Sequence, residues 1–173
     1  AHLFKRAGYV TATMGKWHLS EDPSLQGFDI SIAGDQRGNP GRNGYWSPYN
    51  KLPGLLEAPP DEYLTDRLTN EAISFVHEHH DRPFCLYVPF YTVHTPLIGK
   101  PDLVEKYQSM RGVEGQKNAK YAAMVENLDW NVGRIIEHLD KLGITENTLV
   151  VFTSDNGGLR AISTQAPHRA GKG

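Results

Sequence analysis

Residues 148–158, T-L-V-V-F-T-S-D-N-G-G, decide how this sequence is read. Leu149, Val150, Val151 and Phe152 form a short unbroken apolar run rich in β-branched and aromatic residues. Such a run predicts a strand over 148–153, buried on both faces of a parallel sheet. Polar residues then end it: Ser154, Asp155 and Asn156 put oxygen donors at the strand's end, and Gly157 and Gly158 permit a sharp turn at positive φ. Hard divalent cations take such oxygens, so Asp155 and Asn156 are candidate metal ligands. Asn156-Gly157 also matches a type I′ hairpin turn. That alternative needs a second alternating strand, and residues 159–165, L-R-A-I-S-T-Q, make a poor one.

Upstream of this stretch, Tyr121, Met124, Val125, Leu128, Val132, Ile135, Ile136, Leu139 and Leu142 recur as one apolar stripe. They predict the longest helix, over 117–142, stopped by Gly143, with Asp129, Asn131, Arg134 and Glu137 solvated on other faces. Leu103, Val104 and Tyr107 hint at a short helix before it. Residues 84–90, F-C-L-Y-V-P-F, predict a second buried strand after Pro83. A helix carrying Leu64, Leu68, Ala72, Phe75 and Val76 precedes that strand, with Asp61 or Thr65 available as its cap. Nearest the start, Leu3, Phe4 and Ala7 read as a last helical turn closed by Gly8, followed by a strand over 9–14.

Residues 19–60 show no sustained periodicity, and glycine, proline, asparagine and aromatics crowd together there. Structureless connections this long are usually functional. Within it, Asp35, Arg37, Tyr45 and Trp46 either face a substrate or staple the loop.

Helix and strand alternate through the chain, so the fold class is α/β with a mostly parallel sheet flanked by helices. Parallel strands place their carboxyl ends on one edge, where such folds bind ligands. Gly15-Lys16-Trp17-His18, His94-Thr95-Pro96 and Asp155-Asn156-Gly157 each follow a predicted strand and are expected to converge on that edge. In isolation Lys16 reads as a surface lysine, Trp17 as a packing residue and His94 as a structural histidine. Together, fixed cations, imidazoles and a carboxylate with an amide describe a site for an oxyanion. His77, His79 and His80 sit near a helix C-terminus, which suits the helix dipole as well as a metal. Cys85 lies inside an apolar run and reads as packing.

The chain has 173 residues, 18 basic and 20 acidic, for a net charge of -2. That balance gives no argument for nucleic acid as a partner. A single cysteine excludes a disulfide framework. No apolar run approaches the roughly 18 residues that span a bilayer. The chain opens without Met and closes on Gly171-Lys172-Gly173, so it reads as a piece of a longer protein.

Residues 8–18, G-Y-V-T-A-T-M-G-K-W-H, resemble the second signature segment of the sulfatase family. F-Y-T-V-H-T-P, S-D-N-G-G and H-R-A-G-K-G follow in the family's order. The resemblance covers the whole chain and implies that 1–173 is a single partial domain, the middle of a larger catalytic domain. That domain has an alkaline-phosphatase-like α/β fold, incomplete here. It further implies that Lys16 and Lys172 contact the sulfate group. By the same resemblance His18 hydrogen-bonds a formylglycine nucleophile, and His94 binds sulfate and protonates the departing alcohol. Asp155 and Asn156 match two ligands of a calcium ion. The implied partner is a sulfate-ester small molecule or a sulfated glycan, and many members act in the periplasm, in lysosomes or outside the cell.

The C/S-x-P-x-R segment that supplies the formylglycine does not occur in these residues, nor do the paired aspartates that complete the calcium site. The chain by itself is therefore expected to be inactive, with a formylglycine expected upstream. Three alternatives stand beside the sulfatase reading. One is a phosphonate or phosphate ester hydrolase of the same superfamily, and another is a non-catalytic binder of sulfate or sulfated glycan. A nucleotide-binding α/β domain is disfavoured, because no glycine-rich phosphate loop follows any predicted strand.

Overall fold

The sheet is built around the segment near the start of the chain and not around 148–158. The computed structural model describes residues 1–55, 58–113 and 115–173, so a small part of the expected 19–60 connection lies outside the described residues. After helix α1 (His2–Arg6), strand β1 (Val10–Met14) is central, flanked by β2 (Ile30–Ile32) and β3 (Phe84–Tyr87) in the order β2-β1-β3. Both pairings are parallel: Ala12 lies opposite Ile30 and Met14 opposite Ile32, while Val10 lies opposite Phe84 and Thr13 opposite Tyr87. β1 is buried on both faces, as an inner parallel strand should be.

Helices α2 (Leu64–His79), α3 (Pro101–Gln108) and α4 (Ala119–Lys141) complete the layers, with α4 packed along both α2 and α3. α4 begins where the Asn118 side chain accepts the Tyr121 N–H at 3.0 Å. It ends before Gly143, at φ 69. One core cluster, with Ala12, Met14, Phe75, Val76 and Leu139, sits between β1, α2 and α4. A second is rich in tyrosine, with Tyr45, Tyr49, Tyr63 and Tyr91 fully or almost fully buried.

Several expectations are corrected. Residues 148–153 form no strand among the described residues: Leu149 is 89% exposed and Phe152 71%. An apolar run becomes a buried strand only where a neighbouring edge takes up its backbone groups and other layers cover both faces. Neither is provided at 149–152. Residues 19–60 hold β2, a 3₁₀ turn at Pro23–Gln26 and a left-handed turn at Tyr49–Lys51, and supply much of the tyrosine-rich core. Neither Asp61 nor Thr65 caps α2; Tyr63 holds that position without a side-chain bond, and the Thr65 hydroxyl pairs with that of Thr92. Asn131 is buried and not solvated, because its amide serves Asp66 on α2 at 2.8 Å.

Where α2 and α4 end together, the His77 ring lies 5.9 Å from that of His138 and 6.0 Å from that of His80. His79 instead stacks on Phe75 at 4.5 Å. Among the described residues no three His, Cys, Asp or Glu side chains are placed to hold a metal. Burial first, then the charges of His77, Lys141 and His80, push the His138 imidazole below the ordinary histidine value. Glu137, the nearest acid in sequence, is engaged with Lys141 at 2.9 Å. A depressed folded-state pKa gives stability that is present above the unfolded value of about 6.5 and lost as pH falls through the folded one. Denaturant midpoints are therefore expected to drop between pH 7.5 and 5.5, and His138→Gln should shrink that drop. An unchanged pH dependence in the variant would remove His138 as its source.

Candidate functional site at the sheet edge

The carboxyl end of β1 is gripped from both sides. Gly15 N–H donates to the Ile32 carbonyl at the end of β2 (2.8 Å), and Lys16 N–H to the Pro89 carbonyl just beyond β3 (2.7 Å). This grip needs a glycine: Gly15 has φ +133, and a Cβ there would lie 2.2 Å from the Pro89 oxygen. Lys16, half-buried, leaves the sheet at this point. Trp17 packs edge-on against Phe28 at 5.7 Å, as a packing residue should. His18 follows at φ 63, a left-handed conformation costly for a residue with a Cβ, and its N–H donates to the Asp35 carbonyl at 2.9 Å. Its ring lies against Gly38, where a Cβ would come within 2.6 Å of Cε1. The side chain itself is exposed.

Asp35 and Arg37 staple the loop. The Asp35 carboxylate accepts both the Arg37 backbone N–H and its Nε–H at 2.7 Å, and Arg37 Nη1 reaches the Asn50 carbonyl at 2.8 Å. Burial pushes the Asp35 carboxyl up, but the Arg37 guanidinium and N–H outweigh it and leave it below the usual carboxylate range. Tyr45 is fully buried, and Trp46 packs edge-on against Tyr63 at 5.0 Å.

Beyond β3 the chain makes a turn at residues 91–94, closed by the His94 N–H donating to the Tyr91 carbonyl at 2.9 Å. The buried Tyr91 hydroxyl donates to the Ala33 carbonyl at 2.8 Å and so ties this turn to the end of β2. His94 Nδ1 faces the Thr95 carbonyl at 2.9 Å. A carbonyl only accepts, so Nδ1 carries the proton and Nε2 is left as the exchangeable position. Lys16, His18 and His94 are thus attached to one lip of the sheet through neighbouring backbone groups.

Asp155, Asn156 and Lys172 form a second group. The Asp155 carboxylate folds back on Asn156, accepting its N–H at 2.9 Å and its Nδ2–H at 3.0 Å, and both residues are exposed. Gly157 has φ 73, but no hairpin follows: Leu159 bridges Lys172 in parallel, with Lys172 N–H on the Gly158 carbonyl at 3.0 Å. Gly158 and Gly171 permit this approach, since a Cβ on Gly171 would fall 2.4 Å from the Gly158 oxygen. The contacts of this group lead to the start of α4, where Gln116 Nε2 donates to the Thr164 carbonyl at 3.1 Å. Carboxylate and amide oxygens suit calcium, but these two residues supply only a fraction of the roughly six to eight oxygens it takes. Cys85 is partly buried inside β3, and burial pushes its thiol up, away from nucleophilic use.

The sequence marked Tyr45 as a residue that faces a substrate or staples the loop, and missed Tyr91 and the Ala33 and Asp35 carbonyls. For Tyr91 the only local pointer was the crowding of aromatics in F-Y-T.

A family model described as Sulfatase matches residues 1–173. A protein named "Sulfatase" from Formosa agariphila is 30% identical, over 98% of this chain and 40% of its own length. The N-acetylgalactosamine-6-sulfatase of Mus musculus is 32% identical, over 98% of this chain and 34% of its own. Among solved structures, Ps i-CgsB in complex with k-i-k-neocarrahexaose superposes with a TM-score of 0.76 at 30% identity, covering 99% of this chain and 43% of that one. The chain therefore spans less than half the length of these relatives.

Proposed function

Because this chain belongs to the sulfatase family, we propose that the complete protein hydrolyses a sulfate ester and that the lip carrying Lys16, His18 and His94 grips the sulfate group. The observation that carries this reading is the double grip on the chain leaving β1, beside a His94 whose Nδ1 is committed to the Thr95 carbonyl. Lys16 offers a compact ammonium charge to the non-bridging oxygens of the tetrahedral anion, and the family resemblance gives the same role to Lys172, which this structure holds in the second group against Gly158 and Leu159. His94 Nε2 is free to carry a proton to the bridging oxygen as the ester bond breaks, which matters most when the departing alcohol is a poor leaving group. His18, held by the Asp35 carbonyl, serves the nucleophile and the release of sulfate from it.

A formylglycine, expected from the family's C/S-x-P-x-R segment, would supply the nucleophile. Asp155 and Asn156 would supply two of the oxygen ligands of a calcium ion. The relative named N-acetylgalactosamine-6-sulfatase and the solved structure holding k-i-k-neocarrahexaose support a sulfated sugar as substrate.

The test is turnover of matched sulfate and phosphate esters by the complete protein. Sulfate hydrolysis that falls about 100-fold or more in Lys16→Ala is expected, in line with the loss of a group that stabilises developing charge. Preference for the phosphate ester would reassign the chemistry to phosphoryl transfer, and tight sulfate binding without turnover would make this a binding domain. The 173 residues alone should leave both esters intact.

A further inference from the structure

We infer that Tyr45 is a positioning residue that aims His94, an assignment that rests on His94 being the group that protonates the leaving alcohol. The Tyr45 hydroxyl lies 2.8 Å from the Tyr91 carbonyl and 2.9 Å from the His94 carbonyl, and so spans the two ends of the turn from which His94 projects. The hydroxyl has one proton and two carbonyl acceptors in reach, so it donates to one of them or shares the proton between both, and either bond ties the turn to the Tyr45 ring. Burial pushes the phenol well above its ordinary value, so Tyr45 stays protonated and a donor.

Tyr45 cannot yield to follow the turn. Its ring is completely buried and stacked on Tyr63, with centroids 5.7 Å apart and planes 17° from parallel. Its own carbonyl accepts the Leu64 N–H at 2.9 Å, anchoring it to the start of α2. A rigid helix thus sets the height of the His94 turn, and the Tyr91 hydroxyl on Ala33 sets its distance from the His18 side of the lip. The His94 side chain is held locally by Thr95, which orients the ring but not the turn. The role of Tyr45 and Tyr91 within this cluster is therefore to hold a half-buried loop histidine to the sub-ångström placement that proton transfer requires.

Tyr45→Phe tests this in the complete protein, because it keeps the ring and removes only the hydroxyl. Two sulfate esters are compared, an alkyl sulfate that needs its leaving oxygen protonated and 4-nitrophenyl sulfate that does not. For the alkyl sulfate, kcat is expected to fall roughly 10- to 100-fold with KM little changed, while 4-nitrophenyl sulfate loses about threefold or less.

Tyr49→Phe is the matched control. Tyr49 is equally buried, but its hydroxyl goes to Glu62 at 2.7 Å, away from the His94 turn. It should lower the Tm comparably and leave the ratio of the two rates unchanged. Loss of activity in Tyr45→Phe in equal proportion on both esters, or none at all, overturns the inference while a leaving-group effect in His94→Ala upholds its premise. If His94→Ala shows no leaving-group dependence, the premise and the inference fall together.

Discussion

Gly15→Ala is expected to be among the most damaging single substitutions in this chain, although it adds one methyl group. Gly15 has φ +133, and the added carbon would meet the Pro89 oxygen at 2.2 Å and the Pro89 carbonyl carbon at 2.9 Å. Both are backbone atoms at the exit of β3, so no side chain can swing aside. The φ value alone costs about 1–3 kcal/mol for a residue with a Cβ. Overpacking against fixed backbone adds about 1–3 kcal/mol more. Against a total stability of roughly 5–15 kcal/mol, this is enough to open the lip or unfold the domain. The same displacement breaks the Lys16 N–H bond to Pro89, so activity should suffer even where the fold survives. Gly133→Ala is the internal comparison, since its Cβ would meet nothing within 4 Å and helix α4 should gain up to about 1 kcal/mol. Denaturant melts of the complete protein check both. A Gly15→Ala variant as stable as its parent would mean that β1 and β3 do not approach as described.

The second large effect is expected at Asp66. Its carboxylate accepts the side-chain N–H groups of Asn127 at 2.9 Å and Asn131 at 2.8 Å, and pairs with the Lys100 ammonium. Lys100 also lies over the rings of Tyr63 and Trp130, at 5.9 and 5.8 Å from their centroids. Asp66→Ala would leave a largely covered ammonium without its counter-charge and take a common acceptor from two buried amides. Breaking one side of such a pair costs about 3–5 kcal/mol. Asp66→Asn should cost less, because it keeps an acceptor and loses only the charge. Burial pushes the Asp66 carboxyl up, but Lys100, Asn127 and Asn131 outweigh it and hold it below the usual range. The stability it contributes is therefore present above the unfolded value of about 3.9 and lost as pH falls through the lower folded one. Acid unfolding of the parent should be steeper than that of Asp66→Asn; parallel acid titrations would remove the ion pair from the account.

The placement of Asp66 shows where reading the chain by pattern runs short. The helix stripe led by Tyr121 and Met124 correctly marks α4, and the same stripe assigns Asn131 to water. A polar residue beside a stripe is solvated only if no other element brings it a partner, and α2 brings Asp66 from 65 residues away. Tyr45 is a parallel case, since its acceptors lie 46 and 49 residues on.

Amino-acid order by itself determined the α/β fold class, the helices with a sustained apolar stripe, the strands that became β1 and β3, and the four motifs that place the chain in its family. Those features depend on neighbours within a few residues, and their record is local. Tertiary structure decided the rest. It made Ile30–Ile32 a strand although three residues are too few to show a period, and it left the apolar 149–152 run exposed. It also attached Lys16, His18 and His94 to one lip while Asp155, Asn156 and Lys172 lie together beside the start of α4. Which edge a strand joins, and which carbonyl a buried hydroxyl finds, depends on the free energy of contacts between distant segments, and no spacing along the chain encodes that choice.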